Sequence, residues 1–279
     1  MTAVADQLDA DRELKAKHRK MWSSGNYPLL ASDLIASLGP MVVTAAEISD
    51  ADKVLDVAAG SGNVAVPAAT RGAEVVACDL TPELFDAGRR RAAELAVAVS
   101  WDEADAEHLP YPDASFDVVT SCVGVMFAPH HQSAADELLR VCRPGGRLAI
   151  LSWTPSGFIG QMLAAMKPYA PPPPPGAQPP PLWGDENHVQ VLFGERLTGV
   201  SMRRGTVIID RFRDAEEFRD YFKSFYGPTI ATYAFNAGNA QATAALDTAL
   251  VELAHRFDRG TGSLLIDWEY LLVTGRRAG

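Results

Sequence analysis

The stretch Val54-Leu55-Asp56-Val57-Ala58-Ala59-Gly60-Ser61-Gly62-Asn63 decides the fold. It begins as a short apolar run of strand length, passes through a turn holding two glycines, and leads into a helix expected over Val64 to Arg71. The same grammar repeats along the chain. Glu74 to Cys78, Val97 to Trp101, Phe116 to Ser121 and Arg147 to Ser152 read as strands, with helices at Pro82 to Leu95 and Ser133 to Cys142. Thr81 before Pro82 reads as an N-cap with proline in the first turn. Short apolar strands alternating with helices require a parallel sheet covered on both faces.

Outside that region the pattern changes. Residues 6 to 21 read as a charged helix and Leu29 to Leu38 as an apolar one, a lead-in to the first strand. After Trp153 come a helix over Gly157 to Lys167 and a stretch from Pro168 to Pro181 that holds nine of the 19 prolines. At that density the backbone has fixed φ and few donors, so it runs as a stiff strap. A helix at Asp185 to Phe193, a strand ending near Arg211, helices at Ala215 to Tyr226 and Ala240 to Phe257, and a strand from Leu264 to Thr274 follow. This divides the chain into a helical lead-in or lid over residues 1–45, a core over 46–155, and a cap with the closing strands over 156–279.

With 279 residues there is enough chain for one large domain or a domain with an elaboration. The 35 acidic against 25 basic residues leave a net charge of −10 and a pI of about 5.1, a field that repels phosphate backbones. No nucleic-acid partner is expected. The first twenty residues are too charged for a signal-peptide core, and no apolar run approaches the ~18 residues of a spanning helix. These features point to a cytoplasmic protein without membrane insertion. Cys78, Cys122 and Cys142 are odd in number, far apart and set in apolar surroundings, which suits buried free thiols better than a disulfide framework or a metal site.

Gly60, Gly62 and Ala65 satisfy the G-x-G-x-x-G/A spacing of a dinucleotide turn, and Asp79 follows Gly60 by 19 residues, close to the ~20 expected of a ribose-binding carboxylate. An adenosine ligand is therefore expected. Asp56 separates the possibilities: at the end of the first strand it faces the place of a dinucleotide's pyrophosphate, where like charges in a desolvated cleft cost several kcal/mol. S-adenosylmethionine carries an ammonium and a sulfonium there instead, and an acid becomes complementary.

Four ordered segments carry a resemblance. Asp56-Val-Ala-Ala-Gly60-Ser-Gly62, Val75-Val-Ala-Cys-Asp79, Asp105-Ala-Glu-His-Leu-Pro-Tyr-Pro-Asp-Ala-Ser-Phe-Asp-Val-Val-Thr120 and Glu137-Leu-Leu-Arg-Val-Cys-Arg-Pro-Gly-Gly-Arg-Leu148 resemble the motifs of class I S-adenosylmethionine-dependent methyltransferases, nearest the ubiquinone and menaquinone biosynthesis subgroup. The resemblance spans roughly residues 50 to 153, and departs from the family where its usual first glycine is Ala58. It implies an α/β, Rossmann-like, mainly parallel seven-stranded sheet with an antiparallel last strand, and a helical cap from the N-terminal and post-strand-five segments. It also implies that Asp56 and the turn Ala58, Gly60, Ser61, Gly62 and Asn63 hold the methionine end of the cofactor. Asp79 would take the ribose, Leu80 an adenine face, and Asp105 with Ala106 the adenine edge, with Tyr27 and Ser121 completing the cofactor set.

The expected activity is methyl transfer to a small, aromatic or apolar metabolite by a monomer or homodimer. An NAD-dependent oxidoreductase and a non-catalytic S-adenosylmethionine-binding protein are the alternatives. Displacement at a sulfonium methyl needs alignment more than acid chemistry, but a hydroxyl acceptor must lose a proton. His130, at the carboxyl rim after the fourth strand, is the candidate base, with helix capping as its competing role. Trp22, Tyr27, Phe158, Met162, Met166, Trp183, Phe222, Tyr226 and Tyr233 are candidates for an apolar acceptor pocket.

Overall fold

A computed structural model describes residues 2–260 and 262–279, with side chains described from residue 11 onward. Seven strands form one sheet: β1 (Lys53–Val57), β2 (Glu74–Asp79), β3 (Ser100–Glu103), β4 (Phe116–Cys122), β5 (Cys142–Trp153), β6 (Leu197–Ile209) and β7 (Ile266–Arg277). Their order is β3-β2-β1-β4-β5-β7-β6. The first five are parallel, and β7 runs antiparallel between β5 and β6. The sheet reverses its strand order beside β1, so the β1 and β4 carboxyl ends open a crevice there. Burial drives this arrangement: Val54, Leu55, Val118, Leu148 and Leu151 lose essentially all exposure.

Helices α1 (Thr2–Ser23), α2 (Tyr27–Leu34) and α3 (Leu38–Ala45) precede the sheet, and α4 (Ala65–Thr70), α5 (Phe85–Glu94) and α6 (His131–Val141) connect its strands. Then follow α7 (Phe158–Met166), α8 (Glu186–Phe193), α9 (Ala215–Phe225), α10 (Gly227–Phe235) and α11 (Ala240–Phe257). Two departures from the sequence reading have one cause. The helix expected over Leu29 to Leu38 ends at Leu34, and a second one that the reading omitted starts at Leu38, because Pro40 lacks an N–H and is accommodated only in a first turn. Pro228 does the same and begins α10, an element the reading omitted. The third strand also begins later, at Ser100, and Thr81 makes no side-chain cap bond; its own N–H donates to Asp79 instead.

No single described helix is long and apolar enough to cross a membrane. The helices α2 and α3 together reach that length but are bent by 76°.

The lead-in is locked to the tail. Asn26 N–H donates to the Phe225 carbonyl at 2.8 Å, and a Cβ on Gly227 would lie 2.4 Å from the Met21 carbonyl oxygen and 2.8 Å from the Tyr27 hydroxyl. Only glycine lets α1 and α10 approach that closely.

Candidate active site

The crevice at the end of β1 is a cavity with two kinds of wall. On one side lie the β1 turn, Asp79, Leu80, Leu84 and the segment Ala104 to Ala106. On the other are rings and aliphatic side chains from the lead-in, β5, α9 and β7, among them Trp22, Tyr27, Leu34, Trp153, Phe222, Tyr226 and Trp268.

The turn is built by left-handed backbone. Ala58 has φ +54°, Gly60 φ +55° and Gly62 φ +78°. Ala58 adopts this conformation despite its Cβ, at a cost of order 1 kcal/mol or more, so the alanine in place of the family's glycine keeps the turn. A Cβ on Gly60 would find nothing nearer than Leu84 Cδ1 at 3.9 Å, so glycine leaves that part of the cavity open. Gly62 does not reach the cavity: its missing side chain makes room for Trp101, whose ring carbon would sit 2.6 Å from a Cβ.

Asp79 faces the cavity with its carboxylate aligned by backbone. Oδ2 accepts from Gly60 N–H at 2.8 Å and Oδ1 from Thr81 N–H at 2.8 Å. Burial raises its pKa, and those two donors partly counter the rise. Further along the wall, Asp105 Oδ1 accepts from Lys15 Nζ at 3.0 Å and from Glu107 N–H at 3.0 Å. Asn63 also lines the cavity; its Nδ2 donates to the Ile35 carbonyl at 3.2 Å, while its buried Oδ1 has no described partner. An acidic rim and an open glycine turn suit a ligand that carries hydroxyls and a positive charge.

Asp56 is placed differently from the expectation. It is only 1% exposed and does not line the cavity. Its Oδ2 accepts from Ala65 N–H at 3.0 Å and its Oδ1 from the Thr120 hydroxyl at 3.1 Å, so it braces the turn from behind. Burial pushes its carboxyl up to about 7, against the lowering by Thr120 and Ala65. Ser121 is likewise sealed: it donates to the Val57 carbonyl at 2.7 Å and accepts from Val125 N–H at 2.9 Å, joining β1 to the turn after β4. Both residues support ligand-facing backbone without touching the cavity.

His130 also falls outside it. Its Nδ1 lies 3.0 Å from Glu107 Oε2, its N–H donates to Glu107 Oε1 at 2.7 Å, and Gly176 of the proline strap passes over the ring. It makes no side-chain cap bond either. The residues that sequence reasoning missed are its neighbours. Lys15 Nζ donates to the buried Glu107 carboxylate at 2.7 Å, which ties α1 to the segment after β3. Burial alone would raise the Glu107 pKa, but Lys15 and His130 outweigh it and the net shift is downward. Asp11, Glu107 and His130 hold ligand atoms within 4.8 Å of one another, a spacing a cation could use, and the Lys15 ammonium already supplies positive charge there. His18, one turn from Lys15, lines the cavity; burial and then Lys15 lower its pKa.

Of the expected acceptor-pocket residues, Trp22, Tyr27, Phe222 and Tyr226 line the cavity, whereas Phe158, Met162, Met166, Trp183 and Tyr233 do not. The first four of these are core and Tyr233 packs against it, because helical spacing of large apolar residues serves packing first.

An α/β sheet of order 3-2-1-4-5-7-6 with a glycine turn and an acid closing β2 defines a nucleoside-binding Rossmann-like protein. Comparison with known proteins sharpens that class. Residues 55–150 match the methyltransferase domain family. The Mycobacterium tuberculosis protein Rv1405c is 48% identical over 267 residues, covering 96% of each chain. A demethylmenaquinone methyltransferase of Deinococcus radiodurans is 42% identical over 113 residues, 39% of this chain and 46% of that one. The YcgJ protein of Bacillus subtilis shares the fold with a TM-score of 0.60 at 20% identity, over 87% of this chain and 98% of that one. Residues 55–150 form a methyltransferase domain of the class I S-adenosylmethionine-dependent kind, with partial relatives among the quinone methyltransferases. The protein is an enzyme that uses S-adenosylmethionine, and the nicotinamide alternative falls away.

Proposed function

We propose that this enzyme methylates a small, apolar, aromatic molecule. The observation that carries the proposal is the contrast across one cavity, in which an acidic, backbone-lined side faces a side made of rings. S-adenosylmethionine supplies the electrophilic methyl group. On the acidic side Asp79 binds the ribose hydroxyls, Leu80 lies against the adenine, Asp105 and Ala106 take its edge, and Ala58, Gly60, Ser61 and Asn63 surround the methionine end. Tyr27 spans the boundary between the sides. Its hydroxyl accepts from Gly227 N–H at 3.1 Å, so the ring is fixed and burial keeps the phenol protonated.

The ring-lined side excludes water and holds a flat, apolar acceptor by area. Residues 1–45 act as a lid, residues 46–155 as the cofactor-binding core, and residues 156–279 supply most of the acceptor wall. One chain contributes both walls, so a monomer is competent, alone or within a homodimer.

The test is incubation of cell extract with isotopically labelled S-adenosylmethionine and a mass-spectrometric search for a labelled metabolite. A labelled aromatic or apolar product is expected with the wild type and not with Asp79→Ala, whose lost charge-assisted bond lowers cofactor affinity ~10- to 100-fold. Label appearing only in a charged, non-aromatic metabolite would overturn the assignment of the acceptor class.

A further inference from the structure

We infer that Tyr226 is the specificity-determining hydrogen-bond donor of the acceptor chamber, and that the acceptor therefore carries an oxygen on its aromatic frame. The inference deepens the proposed methylation of an apolar aromatic molecule and rests on it. Tyr226 sits at the junction of α9 and α10, capping one and starting the other. Its N–H donates to the Phe222 carbonyl at 3.0 Å, and its ring packs edge-on against Phe222 and Tyr27, with centroids 5.5 and 6.2 Å away. The side chain is thus held in one place.

The residue is only 8% exposed and lines the cavity, yet no described group hydrogen bonds to its hydroxyl. Nor is that oxygen among the atoms sealed from solvent without a partner, a set that includes the nearby indole nitrogen of Trp268. The oxygen therefore keeps some exposure, in a residue that lines the cavity. The other phenol of this wall, Tyr27, accepts from Gly227 N–H, which holds its oxygen beside α10.

An unpaired hydroxyl buried among rings is costly to keep, and a ligand oxygen would remove that cost. Burial raises the Tyr226 pKa, so the group stays protonated and donates. It serves as a donor and not as a base. An acceptor bearing a hydroxyl or carbonyl gains the bond; its oxygen-free counterpart leaves the donor unsatisfied, which is how a polar group in an apolar pocket discriminates. The Tyr226 hydroxyl fixes the acceptor's orientation, and the transferred methyl's destination follows from that orientation.

The test uses two probes of matched shape, 1-naphthol and naphthalene, titrated by tryptophan fluorescence into full-length protein with and without S-adenosylhomocysteine. Wild type is expected to prefer the naphthol about five- to tenfold. Tyr226→Phe should abolish that preference while its affinity for S-adenosylhomocysteine stays within about twofold of wild type, and Tyr226→Leu serves as the second variant if phenylalanine impairs folding. Equal affinities in wild type, failure of both probes to bind, or a preference that survives in the variant would each overturn the inference. Absence of S-adenosylhomocysteine binding by wild type would instead strike at the cofactor assignment, so the two failures are distinguishable.

Discussion

The two walls of the cavity are made by different physics. The side proposed for the cofactor is backbone: the alternate turn positions Ala58, Gly60 and Gly62 in left-handed conformation and a carboxylate aligned by two N–H groups, with the lining drawn from residues 58 to 106. The acceptor side is a collection of rings whose members, Trp22 and Trp268, are as far apart in sequence as the chain nearly allows. Directional bonds demand fixed spacing, whereas apolar contact demands only volume. A wall of the first kind tolerates few sequences and one of the second kind tolerates many.

That contrast is sharpened most by Asp56, the buried acid behind the fixed wall. Its carboxyl is raised to about 7 in the folded protein from an ordinary value of 3.8. The native state therefore holds a proton that the unfolded chain releases, and stability conferred by this group is complete below about pH 4 and is lost as pH rises through 7. The full loss is about 4 kcal/mol. Asp56→Asn keeps an acceptor for Ala65 N–H and does not titrate. The stability difference between wild type and variant, from urea unfolding at pH 4.5 and pH 8, should move by about 3 kcal/mol in favour of the variant as pH increases. A constant difference would mean that the turn is not braced by a neutral carboxyl.

A second break falls where the lead-in meets the fixed wall. Lys15 and Glu107 are both largely buried, and Lys15→Met leaves the carboxylate without its cation at a cost of about 3 kcal/mol. Because the net Glu107 shift is downward, the pair is intact above the ordinary glutamate range and fails as pH falls through the lowered value. Hydrogen exchange on residues 11–23 should accelerate at least tenfold in the variant at pH 7 while β1 and β4 stay protected. Unchanged exchange would show that α1 is held by its apolar contacts alone, like the acceptor wall it helps to build.

What could be seen in the sequence follows the same division. The β1 turn, Asp79 and Asp105 were legible because a strand, a turn and an acid at set intervals form a one-dimensional pattern. The identity of the bracing acid was legible too, but not its direction: spacing places Asp56 at the end of β1 and says nothing about which face its side chain takes. Lys15 was hidden because its partner is 92 positions away and a lysine on a charged helix looks like solvated surface. The break before Leu38 and the start of α10 were available in Pro40 and Pro228, whose missing N–H groups confine them to first turns. Tyr226 was legible as an aromatic residue outside the strand core, but its unpaired hydroxyl was not, since its place in the cavity depends on Gly227 letting α1 close upon α10.

The smallest effect belongs to His130, and it decides whether the acceptor wall needs a base from the carboxyl rim. The ring stands beside Glu107 and under Gly176, outside the cavity, and its backbone N–H makes the shorter of its two bonds to that carboxylate. His130→Ala removes the ring and keeps the backbone bond, and Lys15 still pairs with Glu107. The cost should be confined to one partly exposed hydrogen bond, about 0.5 to 1 kcal/mol of stability. Turnover of the labelled-methyl reaction should stay within about twofold of wild type at every pH from 6 to 9, measured at saturating cofactor so that binding does not enter. His18 lines the cavity and is kept neutral by burial, so it is the histidine placed to meet a ligand. A pH limb that vanished in His130→Ala while protein stability held would return the proton to the carboxyl rim.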